Sequence, residues 1–132
     1  MTTTLKLNKV HHIAIICSNY EISKTFYTEI LDLAVIKETF RAERQSYKLD
    51  LKVNDTYQLE LFSFPQPAAR PSRPEACGLR HLAFEVDDIT AAVNALQLKG
   101  VVTEPVRVDE ITGKRLTFFA DPDGLPLELY EK

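Results

Sequence analysis

Histidine and glutamate recur in this chain as a repeated pair. His12 lies in Val10-His-His-Ile-Ala-Ile and His81 in Leu79-Arg-His-Leu-Ala-Phe, while Glu60 lies in Leu59-Glu-Leu-Phe and Glu128 in Leu127-Glu-Leu-Tyr. The interval from histidine to glutamate is 48 residues in the first half and 47 in the second. Two imidazoles and two carboxylates make an N₂O₂ donor set for a divalent cation, with positions left over for water or substrate, which is the open form of a catalytic site. Imidazole suits Ni, Zn and Co and carboxylate admits Mn or Fe, so the donor set does not choose the metal.

A lone histidine in a strand is more often a hydrogen-bonded structural residue than a ligand, and a lone strand glutamate is more often solvated. Their joint recurrence changes the weighing. Duplication of a fold alone does not require polar side chains at matching places, since apolar residues would serve as well. Two carboxylates brought together in a cavity repel and lose solvation, a cost that a cation removes.

The elements around these residues repeat too. Laying His81 over His12 matches Leu82 with Ile13, Ala83 with Ala14, Phe84 with Ile15 and Val86 with Cys17. A helix is expected after each strand. The first starts at Ser18-Asn-Tyr-Glu21, a capping-box spacing, with Ile22, Phe26 and Ile30 at helical intervals. The second starts near Asp88, carries Ile89, Val93 and Leu96, and stops before Gly100. Strand patterns return at Tyr47-Lys-Leu-Asp-Leu-Lys-Val53 and, past an Asn54-Asp55 turn, at Tyr57-Gln-Leu-Glu-Leu-Phe62. Their counterparts are Arg115-Leu-Thr-Phe-Phe119 and Leu125-Pro-Leu-Glu-Leu-Tyr130, joined by Asp121-Pro-Asp-Gly124.

Each half therefore reads as strand, helix and three strands, and the fold class is α+β: paired βαβββ modules with curved antiparallel sheets and outer helices. The expected organisation is one domain over residues 1–132, with modules at about 9–64 and 78–130. Residues 65–77, carrying four prolines between Pro65 and Pro74, form an extended linker. Strand alternation then sets His12 on the face of Ala14 and Ile16, His81 opposite Leu82, Phe84 and Val86, and each glutamate opposite its flanking leucines. All four ligand candidates should point away from the helices into a concave sheet surface. His11 falls on the opposite face from His12 and is a poor ligand.

Composition excludes other classes. With 45% apolar and 27% charged residues and a net charge of −3, the chain offers no basic field for nucleic acid. The N-terminus lacks the apolar run of a secretory signal, and no stretch is long enough to span a membrane. Cys17 and Cys77 suggest no disulfide framework and no nucleophile, so a cytoplasmic location fits. Arg41, Arg44 and Lys48 are candidates to steer an anionic group, and Phe62, Phe64 and Phe119 to line a pocket, although solvated surface and core packing are common fates for such residues.

From about Lys9 to Tyr130 the chain resembles the glyoxalase I and bleomycin-resistance proteins, the vicinal oxygen chelate (VOC) superfamily. The resemblance rests on His-His-Ile-Ala-Ile, Leu-Arg-His-Leu-Ala-Phe, Asp-Pro-Asp-Gly and the terminal Leu-Glu-Leu-Tyr. It implies the paired βαβββ fold, a homodimer, a small-molecule substrate, and a metal held by His12, Glu60, His81 and Glu128. Related fosfomycin-modifying enzymes and extradiol dioxygenases typically keep only three protein ligands, and bleomycin binders usually lack the metal set. The activity implied is that of a lactoylglutathione lyase, a carbon–sulfur lyase isomerising a hemithioacetal of a 2-oxoaldehyde through an enediolate. Glu128 or Glu60 would act as the base, with Glu128 preferred. Two glutathione-contacting positions of glyoxalase I, an arginine and an asparagine, are here Ile16 and Phe64, which leaves the thiol open. An epimerase or other enolate-forming lyase on the same metal, and a small-molecule sequestering protein of the resistance type, are the alternatives.

Overall fold

In the computed structural model, which describes residues 3–132, the chain divides into two units, Met1–Pro67 and Ala68–Lys132. The first two positions of the N-terminal stretch that lacks a secretory signature lie outside the described residues. The first unit runs β1 (His12–Cys17), α1 (Tyr20–Thr25), a π-helical turn (Phe26–Ile30), β2 (Ala34–Arg41), β3 (Ser46–Lys52) and β4 (Gln58–Ser63). The second runs β5 (Leu82–Val86), α2 (Ile89–Leu98), β6 (Arg107–Val108), β7 (Arg115–Ala120) and β8 (Pro126–Glu131). The strand–helix–three-strand pattern thus occurs twice, in an α+β fold.

Each unit holds one four-stranded sheet, in the orders β1-β4-β3-β2 and β5-β8-β7-β6. The pairing is mixed where all-antiparallel sheets were expected. β1 runs parallel to β4 and β5 parallel to β8, because the helical connection leads to the far edge strand and two antiparallel steps then bring the chain back beside the first strand in the same direction. The other pairs are antiparallel.

Alternation buries one face of each sheet. In the first unit Ile15, Leu61 and Leu49 are laterally aligned and buried, joined by Leu51, Leu59 and Cys17, and α1 packs over β4. In the second, Leu127 and Leu129 sit between Leu82 and Phe84 on β5 and Phe119 and Thr117 on β7. α2 covers β8 with Ile89, Val93 and Leu96. Leu127 is 0% exposed. Leu127→Ala is expected to cost about 2–5 kcal/mol in denaturant unfolding, the range for deleting a buried leucine side chain. A loss below about 1 kcal/mol would contradict this packing.

The first helix departs from the sequence pattern. Its N-cap is Asn19, whose side chain accepts from the Ile22 N–H at 3.1 Å, in place of a Ser18/Glu21 capping box. Ser23, Phe26 and Tyr27 are buried while Ile22 is 56% exposed. The buried set Ser23, Phe26 and Tyr27 keeps ordinary helical spacing one position round from Ile22, and a π-helical turn follows at Phe26–Ile30. The second helix follows expectation, with Asp88 accepting from the Ala91 N–H at 3.1 Å.

Both turns read from sequence form by side-chain capping. Asn54 Oδ1 accepts from the N–H groups of Thr56 and Tyr57, and Asp121 Oδ1 from those of Asp123 and Leu125. Gly124 takes a φ of 80°, where a side chain would be strained.

A bidentate pair ties α2 to the sheet. Arg115 donates from Nε to Glu131 Oε1 at 3.0 Å and from Nη2 to Oε2 at 2.8 Å, and Glu131 Oε2 also accepts the Ile89 N–H at 3.0 Å. These bonds, the arginine's first, hold the Glu131 carboxyl below its ordinary value of 4.5. A depressed carboxylate contributes stability above its unfolded pKa and loses it as pH falls through the folded one. Glu131→Gln should therefore melt below the native protein at pH 7. The gap should close as the pH drops below about 4; a gap independent of pH would contradict the pairing.

No helix among the described residues is long and apolar enough to cross a membrane. Cys17 is buried and Cys77 exposed, and neither forms a disulfide.

Candidate metal-binding half-sites

The sheet face opposite the core carries the predicted ligands. In the first unit the lateral row is Ala14, Glu60, Asp50 and Lys37; in the second it is Ala83, Glu128 and Phe118. In both, the histidine lies two residues before the alanine that aligns with the glutamate, so the imidazole reaches the carboxylate diagonally across parallel strands. His12 Nδ1 is 3.5 Å from Glu60 Oε2, and His81 Nε2 is 3.2 Å from Glu128 Oε1.

The structure therefore brings the four residues together as two pairs. Within either unit, among the described residues, no third His, Cys, Asp or Glu joins the pair in a metal-binding array. The pair geometry fits a shared cation. Two donors each ~2.1 Å from one ion lie about 3.0 Å apart at a right angle and about 3.4 Å apart at a tetrahedral angle. Both carboxylates are also withdrawn from solvent, with Glu60 7% and Glu128 8% exposed. Buried carboxylates call for compensating positive charge, and an imidazole alone supplies it only when protonated. His81 Nδ1 is buried and has no hydrogen-bond partner.

The half-sites differ in their surroundings. Glu60 has Lys48 Nζ 3.8 Å from Oε1 and accepts from Gln58 Nε2 at 3.4 Å, and Lys48 also pairs with Asp50 at 3.3 Å. Asp50, buried beside Glu60 in the row, was not singled out from sequence; its signal was the alternation that places Lys48 and Asp50 on one face, but the register with Glu60 is not in that pattern. Glu128 faces Phe118 across the corresponding strand pair, and the Phe118 ring meets the His81 ring edge-on at 5.1 Å. Among the described residues His81 is the one side chain paired with the Glu128 carboxylate.

His11 does not stand apart from His12 as expected. It precedes β1, so strand alternation does not govern it, and its Nδ1 lies 2.9 Å from His12 Nδ1. Arg41, half-buried, stacks over Phe62 and Phe64 and donates to Ser46 Oγ at 2.9 Å, and Arg44 lies over Phe64. Phe119 aligns with Leu127 in the core, although it also borders the cleft in its unit. That cleft, of about 440 Å³, includes His81 and Phe118 in its lining.

Comparison with known proteins agrees with this architecture. Residues 9–129 match the family model of the Glyoxalase/Bleomycin resistance protein/Dioxygenase superfamily. The chain is 62% identical over 126 residues to the uncharacterized protein YwkD of Bacillus subtilis (strain 168), covering 96% of this chain and 98% of that one. It is similar to the crystal structure of a glyoxalase family protein from Enterococcus faecalis, with 52% identity, a TM-score of 0.88, and 94% and 98% of the two chains covered. A more distant relative, a 2-epi-5-epi-valiolone epimerase from Actinomyces sp, is 29% identical over 141 residues, covering 91% of this chain and 77% of that one. Spanning nearly its whole length, the match makes the chain a member of the Glyoxalase/Bleomycin resistance protein/Dioxygenase superfamily.

Proposed function

We propose that the protein is a metal-dependent, glyoxalase-I-like lyase that isomerises the hemithioacetal of a 2-oxoaldehyde and a thiol. His12, Glu60, His81 and Glu128 would hold the divalent ion, of Ni, Zn or Co type, with Mn or Fe also compatible with the donors. Superfamily members typically use a divalent metal, bind small molecules and often form dimers. A single 132-residue domain acting as a cytoplasmic homodimer is the corresponding assembly, with the ligand pairs drawn from one chain or from two. The observation that carries the reading is the twice-repeated histidine–carboxylate contact on matching strands, at separations a shared cation would set.

When bound, the ion supplies Lewis acidity toward adjacent substrate oxygens. The residues of the chain supply the rest. The base removes the hydrogen from the carbon bearing sulfur and returns it to the neighbouring carbon, while the hydroxyl proton passes to the former carbonyl oxygen, so that the hemithioacetal becomes a hydroxyacyl thioester. Atoms balance without an oxidant or co-reactant. Glu128 is the better base because one partner holds its carboxylate, whereas Lys48 and Gln58 also engage Glu60. The apolar Phe118 ring, laterally aligned with Glu128, would limit the water that competes for the proton.

The test is turnover of methylglyoxal with glutathione and other thiols after loading with each candidate ion. Absence of any rate above background at full metal occupancy removes the lyase reading. An epimerase using the same proton transfer is the second reading, favoured by the valiolone-epimerase relative, and it predicts solvent-deuterium incorporation into a cyclic polyol ketone instead. Tight binding without turnover points to sequestration.

A further inference from the structure

The cleft in the second unit holds charges that a metal site does not require. Three arginines, Arg73, Arg80 and Arg107, and two glutamates, Glu75 and Glu104, line it together with His81 and Phe118. Arg107 is held in place: its guanidinium lies over the Phe118 ring at 5.5 Å and pairs only at 3.6 Å with Glu104, both side chains being half exposed. The guanidinium groups of Arg73 and Arg80 make no ion pair among the described residues.

The segment that carries these two arginines is fastened to its own unit. Arg70 donates to Ser72 Oγ at 2.8 Å and to the carbonyls of Leu79 and Arg80, and Ser72 Oγ donates to the Gly124 carbonyl at 3.2 Å. Residues 70–80, which begin within the segment read from sequence as an extended linker at about 65–77, form a strap along the cleft. One aromatic ring, Phe118, separates the Arg107 guanidinium from the His81 imidazole.

From this arrangement we infer that the cleft binds a substrate with a carboxylate at the end remote from His81 and Glu128. This deepens the metal-site reading and rests on it for the position of the reacting end. The chemistry of the recognition is stated by the lining. Arginine forks donate paired hydrogen bonds to planar carboxylates, and an apolar skeleton of about one ring's width would pack beside Phe118 and Arg107. Three cations against two anions leave one net positive charge in the lining, which matches a monocarboxylate better than a dianionic phosphate. Arg107, Arg73 and Arg80 are specificity residues in this scheme and take no part in proton transfer.

Two experiments separate this inference from the lyase reading. Calorimetric titration of the metal-loaded protein with 3-phenylpropionate and with the neutral 3-phenylpropanol is expected to give at least tenfold tighter binding of the acid. The preference should disappear in the triple variant Arg73→Gln/Arg80→Gln/Arg107→Gln, with metal content by elemental analysis unchanged. Equal affinity for acid and alcohol overturns the proposal, and so does a preference that survives in the triple variant, since the carboxylate would then be binding the ion directly. In the second experiment, methylglyoxal hemithioacetals of 3-mercaptopropionate, 2-mercaptoethanol and cysteamine should rank in that order of kcat/KM. Turnover without charge preference leaves the lyase standing and removes the carboxylate subsite. Acid-selective binding without turnover of any of them does the reverse.

Discussion

Alanine in place of His81 is expected to strip the protein of its divalent ion and to lower lyase kcat/KM by roughly 10³-fold, the consequence of losing several kcal/mol of charge stabilisation at the reacting oxygens. Glu128 has no other paired side chain among the described residues, so losing the imidazole leaves a carboxylate that is 8% exposed with neither ligand nor countercharge. His12→Ala should match His81→Ala in metal content and in rate, because each half-site contributes one imidazole. Elemental analysis of protein purified without added metal, followed by kinetics after reloading, reads both effects. If both variants keep a full complement of metal, the duplicated site is refuted. If only one loses it, the two pairs do not share an ion.

Glu128→Gln is expected to lower kcat by about 10²–10⁴-fold, the usual contribution of a positioned general base, with a smaller change in KM. Glu60→Gln should lower kcat at least tenfold less. The asymmetry follows from the surroundings. Lys48 and Gln58 engage the Glu60 oxygens, with Asp50 next in the row, and such a carboxylate must leave several partners to take a proton. Glu128 has His81 and the ring of Phe118 beside it. Metal content must be measured in both variants, since an amide oxygen remains a weaker ligand than a carboxylate. With metal retained, equal losses of kcat in the two variants sink the assignment of the base. A larger loss in Glu60→Gln reverses it.

Much of the fold was legible from short-range pattern. The strands around His12, Glu60, His81 and Glu128 alternate apolar and polar residues. α2 shows Asp88 as its cap and Ile89, Val93 and Leu96 at helical spacing, and Asn54 and Asp121 announce their turns. The edge strand β2 was expected in the count of three but not located by pattern: most of its residues are exposed, so no burial enforces alternation on it. β6 is two residues long and carries too little pattern to find. The first helix misled because helical spacing admits both the set Ile22, Phe26 and Ile30 and the set Ser23, Phe26 and Tyr27, and packing buries the second.

The residue types at the candidate site, their duplication and the sheet face they share follow from the sequence alone, since a side chain's face depends only on its place in its own strand. Which carboxylate each imidazole touches was decided by the tertiary structure. The parallel register that aligns Ala14 with Glu60 and Ala83 with Glu128 is a long-range pairing, and no local pattern encodes it. The same holds for Lys48 and Asp50 beside Glu60, for Phe118 beside His81 with Arg107 over its ring, and for the strap held by Arg70. Contacts between residues distant in sequence arise only when strands choose their partners, and that choice turns the same duplicated motif into two unlike half-sites.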